Sequence, residues 1–122
     1  MTPAEARELV AQALESGEYE QGRMTLCRHN KYCCLGVAME VFMEHNPGII
    51  EKIEMHDAGF TVYQNGEDSN SAVLLCVVKE WLGFRTNKGR FNNDSLILIN
   101  DNGTPFTEIA KLFRNPPEGL LG

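Results

Sequence analysis

Over residues 32–45 the apolar side chains leave almost no polar face. Leu35, Ala38, Met39, Phe42 and Met43 recur at helical spacing, and Cys34, Val37 and Val41 fill the opposite side. A helix that is apolar all round has to be enclosed by the rest of its chain. The spacing therefore predicts a central helix from about Tyr32 to His45, ended by Asn46-Pro47-Gly48. Gly36 within it lets another backbone come close. A chain of 122 residues is long enough to wrap one such helix and too short for two independent cores. The expectation is a single domain over residues 1–122 of α+β class. It should have four to five short helices around the central apolar one, with a β-hairpin or small antiparallel sheet.

The flanking segments fit that plan. Thr2 and Glu5 have capping-box spacing, Pro3 takes the first helical position, and Gly17 follows the last turn. Ala6, Leu9, Val10, Ala13 and Leu14 fall on one face of this first helix. Glu18 to Lys31 reads as a polar connection or short strand, with Gln21-Gly22-Arg23 as a turn ahead of Met24-Thr25-Leu26-Cys27. Alternation of Ile53, Met55, Phe60 and Val62 about Asp57-Ala58-Gly59 signals a hairpin. Ser69 or Asn70 is placed to cap the next segment. Residues 72–82 carry both β-branched and helical patterns, and the helical one, ending at Gly83, is preferred. Asn93 or Asp94 opens a brief helix that residues 100–103 terminate, and Thr104-Pro105 starts the last helix.

Composition narrows the functional classes. Eleven basic against 17 acidic residues leave a formal charge of −6, which disfavours extended contact with a nucleic-acid backbone. No apolar run approaches the roughly 18–20 residues that cross a bilayer, and the first residues do not form an export signal. A soluble, cytoplasmic protein is expected, so Cys27, Cys33, Cys34 and Cys76 are read as reduced, buried thiols.

Four groupings bear on chemistry. Cys27, His29, Cys33 and Cys34 are potential zinc ligands, but adjacent cysteines on a helix diverge, so no metal and no other cofactor is expected. Cys33 or Cys34 near a helix start, with His29 or His45 as base and Asp101 as orienting group, would make a nucleophile; His45 lies about three turns away, which weighs against it. Asn100-Asp101 suits turn and cap chemistry better than catalysis. The cations Arg85, Lys88 and Arg90, and a second group of Arg23, Arg28 and Lys31, suit phosphate.

The words Gly17-Glu18-Tyr19-Glu20-Gln21-Gly22-Arg23, Tyr32-Cys33-Cys34-Leu35-Gly36-Val37, Trp81-Leu82-Gly83, Leu98-Ile99-Asn100-Asp101 and Pro117-Glu118-Gly119-Leu120 occur in this order over nearly the whole chain. In this the chain resembles a widespread family of small, uncharacterised bacteriophage and prophage proteins. One departure is Ser71–Cys76, where the relatives tend to begin a helix with proline. The resemblance implies a phage product in a bacterial cytoplasm and carries over no catalytic residue.

The expected function is an accessory protein that binds and does not catalyse, blunting a host process such as antiviral defence. Its first expected mechanism is sequestration of a small phosphorylated ligand such as a nucleotide signal. Arg23, Arg28, Arg85, Lys88 and Arg90 would hold phosphate, and Trp81, Tyr19 or Tyr32 would stack on a base. The alternatives are an acidic module that engages a host protein, and a cysteine-dependent enzyme. A second copy of the chain is a further candidate partner.

Overall fold

The computed structural model describes residues 1–122, in five helices and eight short strands. Thr2 and Glu5 exchange both bonds of the capping box at the start of α1 (Pro3–Glu15), and Gly17 follows with φ 81°. Ala6, Val10, Ala11 and Leu14 are buried, with Leu9 and Ala13 packed at the margin.

The central helix is α2 (Cys34–His45), with eight of its twelve residues buried. It starts later than expected because Tyr32 belongs to a strand and Cys33 is the N-cap, its sulfur accepting the Gly36 N–H at 3.4 Å. A Cβ on Gly36 would overlap the Leu26 carbonyl, so only glycine lets this backbone pass. One core of 27 buried residues surrounds the helix.

The sheet runs β1 (Glu20–Gln21), β3 (Lys31–Tyr32), β2 (Cys27–Arg28), β5 (Phe60–Asn65), β4 (Glu51–Met55), with β6 (Asp68–Asn70) also on β5. All pairings are antiparallel except β1 with β3. The β4–β5 hairpin turns where the sequence predicts. Between β2 and β3, His29 and Asn30 take φ 51° and 60°, the type I′ geometry that matches strand twist. Tyr63, fully buried on β5, donates to the Glu40 carboxylate of α2 at 2.7 Å, and Lys52 of β4 pairs with the same carboxylate at 3.0 Å.

Residues 72–82 depart from the single helix expected. Residues 71–73 form a bend and residues 74–75 an irregular link, because the Asn70 side chain takes the N–H groups of Ala72 and Val73, and Leu74 N–H donates to the Asn87 carbonyl. Helix α3 (Cys76–Leu82) follows and ends at Gly83 with φ 73°. Its first N–H is held by Asp68, eight residues away in sequence, at 2.7 Å. Cys76 is therefore exposed, against the expectation of four buried thiols, since Val78 and Leu82 form the inward face.

A ribbon of β7 (Arg90–Phe91) and β8 (Asp94–Ser95) leads into α4 (Leu96–Asp101), capped by Ser95 and not by Asn93 or Asp94. Helix α5 (Phe106–Arg114) packs along α1. Its N-cap is Pro105, so Thr104 does not supply the cap the sequence suggests. Arg114 holds Glu8 and Glu15 of α1 at 2.9 and 2.7 Å. No helix is long and apolar enough to cross a membrane.

Candidate functional site

Three of the sequence words converge on Asn100. Its side chain is fully buried, and its oxygen accepts from Cys34 N–H at 3.1 Å and from the Gln21 amide at 3.0 Å. Its nitrogen donates to the Gly22 carbonyl at 2.9 Å and to Asp101 at 3.3 Å. Gln21 also reaches the Thr104 carbonyl at 2.7 Å. Local turn chemistry is thus not the role of Asn100, contrary to expectation. The side chain joins β1, the start of α2 and the end of α4, and a fully paired buried amide rigidifies what it joins. Asp101 takes the N–H of Met24, which sits at φ 70° and is held in that left-handed conformation.

The thiols beside this network are poorly placed for chemistry. Burial pushes the Cys33 thiol up to about 11 and the Cys34 thiol well above its ordinary value, and Asp101 adds to both shifts. Cys34 donates to the Leu96 carbonyl at 3.6 Å. The His29 ring packs over Gly59, and His45 lines a depression with Leu9, Tyr19 and Glu44, so neither imidazole approaches these sulfurs. No three His, Cys, Asp or Glu side chains gather closely enough to hold a metal ion.

The cations are more informative. Of eleven Lys and Arg side chains, Lys52, Lys111 and Arg114 form ion pairs. Arg7 and Arg85 are committed to the carbonyls of Leu82 and Gly119, at 2.8 and 2.9 Å. Arg23, Arg28 and Lys31 have no carboxylate within ion-pair distance, and they line one depression of about 200 Å³ with Gly22 and His29. The β2–β3 turn and the Gly22 turn hold it open, for Gly22 lies so close to Lys31 that a Cβ would stand 2.8 Å from the lysine's own. Lys88 and Arg90 line a separate depression of about 320 Å³ whose floor is Met24, Ala72, Val73, Ile97 and Leu98. The two cation groups are therefore distinct, with Arg23 and Met24 as neighbours between them.

The expected stacking residues lie elsewhere. Trp81 packs edge-on against Phe42 at 5.3 Å between ring centroids, and Tyr19 packs edge-on against Tyr32 at 5.1 Å. Burial, then the charge of Glu40, pushes the hydroxyls of both tyrosines above their ordinary pKa and keeps them protonated. None of the three lines either cationic depression.

Phe60 was not singled out from the sequence. It is the direct cross-strand partner of Arg28 and of Met55. Directly paired residues share a sheet face, and faces alternate along each strand. Cys27, Thr61 and Tyr63 are buried on the inner face. Lys31, Arg28, Phe60, Val62, Ile53 and Met55 consequently share the outer face, which is open. The hairpin alternation was the signal, but period two alone does not say which face looks inward.

Neither a curated protein nor a solved structure matches the chain. Residues 3–116 match the family model described as Domain of unknown function (DUF8296), and the chain belongs to that family.

Proposed function

We propose that this protein acts by binding a small phosphorylated ligand whose phosphate sits between Arg23, Arg28 and Lys31. The observation that carries this reading is the lining of their depression: three cations, an imidazole and a glycine, with no carboxylate. In a chain of net charge −6, cations left without acidic partners and gathered in one concavity attract an anion. Its volume of about 200 Å³ suits a phosphate or pyrophosphate group, whereas whole small-molecule sites span roughly 300–1,000 Å³. The rest of the ligand would lie outside it. Lys88 and Arg90 are a secondary anion seat. Sequestration needs no nucleophile, and the suppressed thiols of Cys33 and Cys34 agree with a role without catalysis.

In the bacterial cytoplasm that the resemblance to phage proteins implies, holding such a ligand out of circulation would blunt a host process such as antiviral signalling. The test is calorimetry with inorganic pyrophosphate at low salt, wild type beside the double variant Arg28→Ala, Lys31→Ala. Binding by wild type alone is expected. No heat with wild type at millimolar pyrophosphate would end the phosphate reading and leave a host-protein partner as the alternative.

A further inference from the structure

The group attached to that phosphate is also open to argument. We infer that it is a planar ring, as in a nucleoside phosphate, and that Phe60 on the open sheet face is the surface on which the ring lies; this rests on the phosphate seat proposed above.

The register carries the inference. Arg28, which lines the phosphate depression, is paired directly with Phe60 on the adjacent strand. Direct antiparallel partners have Cβ atoms about 4.5–5.5 Å apart. A ligand whose phosphate meets the Arg28 guanidinium thus has its next group over the Phe60 ring. On this face Phe60 and Val62 are half-buried, while Ile53 and Met55, in the pairs Ile53–Val62 and Met55–Phe60, are 36% and 43% exposed. Four apolar side chains standing in register on one sheet face, bordered by two cations, form an exposed platform and not an enclosed channel. A platform matches a flat ring, whereas a flexible alkyl chain gains most from a groove that encloses it. Stacking between a base and an aromatic side chain is tolerant of sequence, and the guanidinium at its edge adds a cation–π contribution.

Three probes that carry a diphosphate separate the alternatives: inorganic pyrophosphate, adenosine diphosphate and geranyl diphosphate. Wild type should bind adenosine diphosphate about tenfold more tightly than the other two. Phe60→Ala should remove that advantage and leave pyrophosphate affinity unchanged. Phe60→Trp should keep the advantage, with its new indole fluorescence quenched by adenosine diphosphate and not by pyrophosphate. Equal affinity for all three probes, or geranyl diphosphate as the tightest, would overturn the ring assignment and leave the phosphate seat standing. An adenosine preference that survives Phe60→Ala would overturn the role of Phe60. If pyrophosphate and adenosine diphosphate both fail to bind wild type, the phosphate seat falls and the ring assignment falls with it.

Discussion

The amide oxygen of Asn100 accepts a hydrogen bond from the backbone N–H of Cys34 at 3.1 Å, across 66 residues of chain. That bond anchors the start of the central helix, whose first N–H groups have no partner within the helix. Asn100→Ala would leave the buried Cys34 N–H and the half-buried Gly22 carbonyl without partners. Each such orphan costs about 1–3 kcal/mol, so a loss of roughly 3 kcal/mol is expected in urea denaturation. A loss below about 1 kcal/mol would show that water or a shift of Gln21 replaces the amide.

Gly36 and Gly66 should respond very differently to alanine. At Gly36 the added Cβ overlaps the Leu26 carbonyl, a rigid backbone atom, so Gly36→Ala is expected to prevent stable folding. At Gly66 the space is open and the cost is that of a left-handed φ of 62°, about 1–2 kcal/mol. Thermal melts of the two variants decide the matter, and similar midpoints would contradict the close approach of α2 to Leu26.

One thiol should react in the native protein and four after denaturation. Cys76 is exposed, while Cys27, Cys33 and Cys34 are buried, with the last two also held protonated by their surroundings. Titration with a disulfide reagent, followed by mass mapping, should place the fast label on Cys76. Rapid native labelling of Cys33 would contradict its burial beside the Asn100 network and reopen the nucleophile reading.

Arg114 should contribute stability that disappears in acid. Its hydrogen bonds hold the Glu8 and Glu15 carboxyls below their usual range. A carboxylate with a depressed pKa in the fold stabilises above its unfolded value of about 4.3, and that contribution is lost as pH falls through the folded value. The melting-temperature gap between wild type and Arg114→Gln should therefore be present at pH 7 and close below about pH 4. The gap should be modest, because these side chains are solvent-exposed. A gap that persists unchanged at pH 3 would assign Arg114 a packing role instead.

The two cation groups can be told apart by paired substitutions. Lys88→Ala with Arg90→Ala removes charge from the secondary depression and should leave stability within about 0.5 kcal/mol of wild type, as at most surface positions. Pyrophosphate affinity should change by less than about threefold, whereas Arg28→Ala with Lys31→Ala should lower it by about a hundredfold or more, the loss of two charge-assisted contacts. The reverse ranking, read by calorimetry, would move the phosphate seat to Lys88 and Arg90.

The features legible in the residues alone were local. The enclosed helix, the requirement for Gly36, the capping box at Thr2, the hairpin about residues 57–59 and the stop at Gly83 all come from periodicity or turn chemistry within a few residues. Tertiary packing selected which distant groups meet. Asn100 finds Gln21 and Cys34 because packing brings the end of α4 against β1 and the start of α2. The non-helical link over residues 71–75 displaces the helix that their spacing allows because Asn70, Asn87 and Leu26 bond their backbone. Phe60 faces outward beside Arg28 because the strand's other side, Thr61 and Tyr63, meets the core, where Tyr63 bonds Glu40 of α2. Alternation along a strand specifies two faces and is symmetric between them. Only the partner packed against one face breaks that symmetry, and the partner lies far away in the chain.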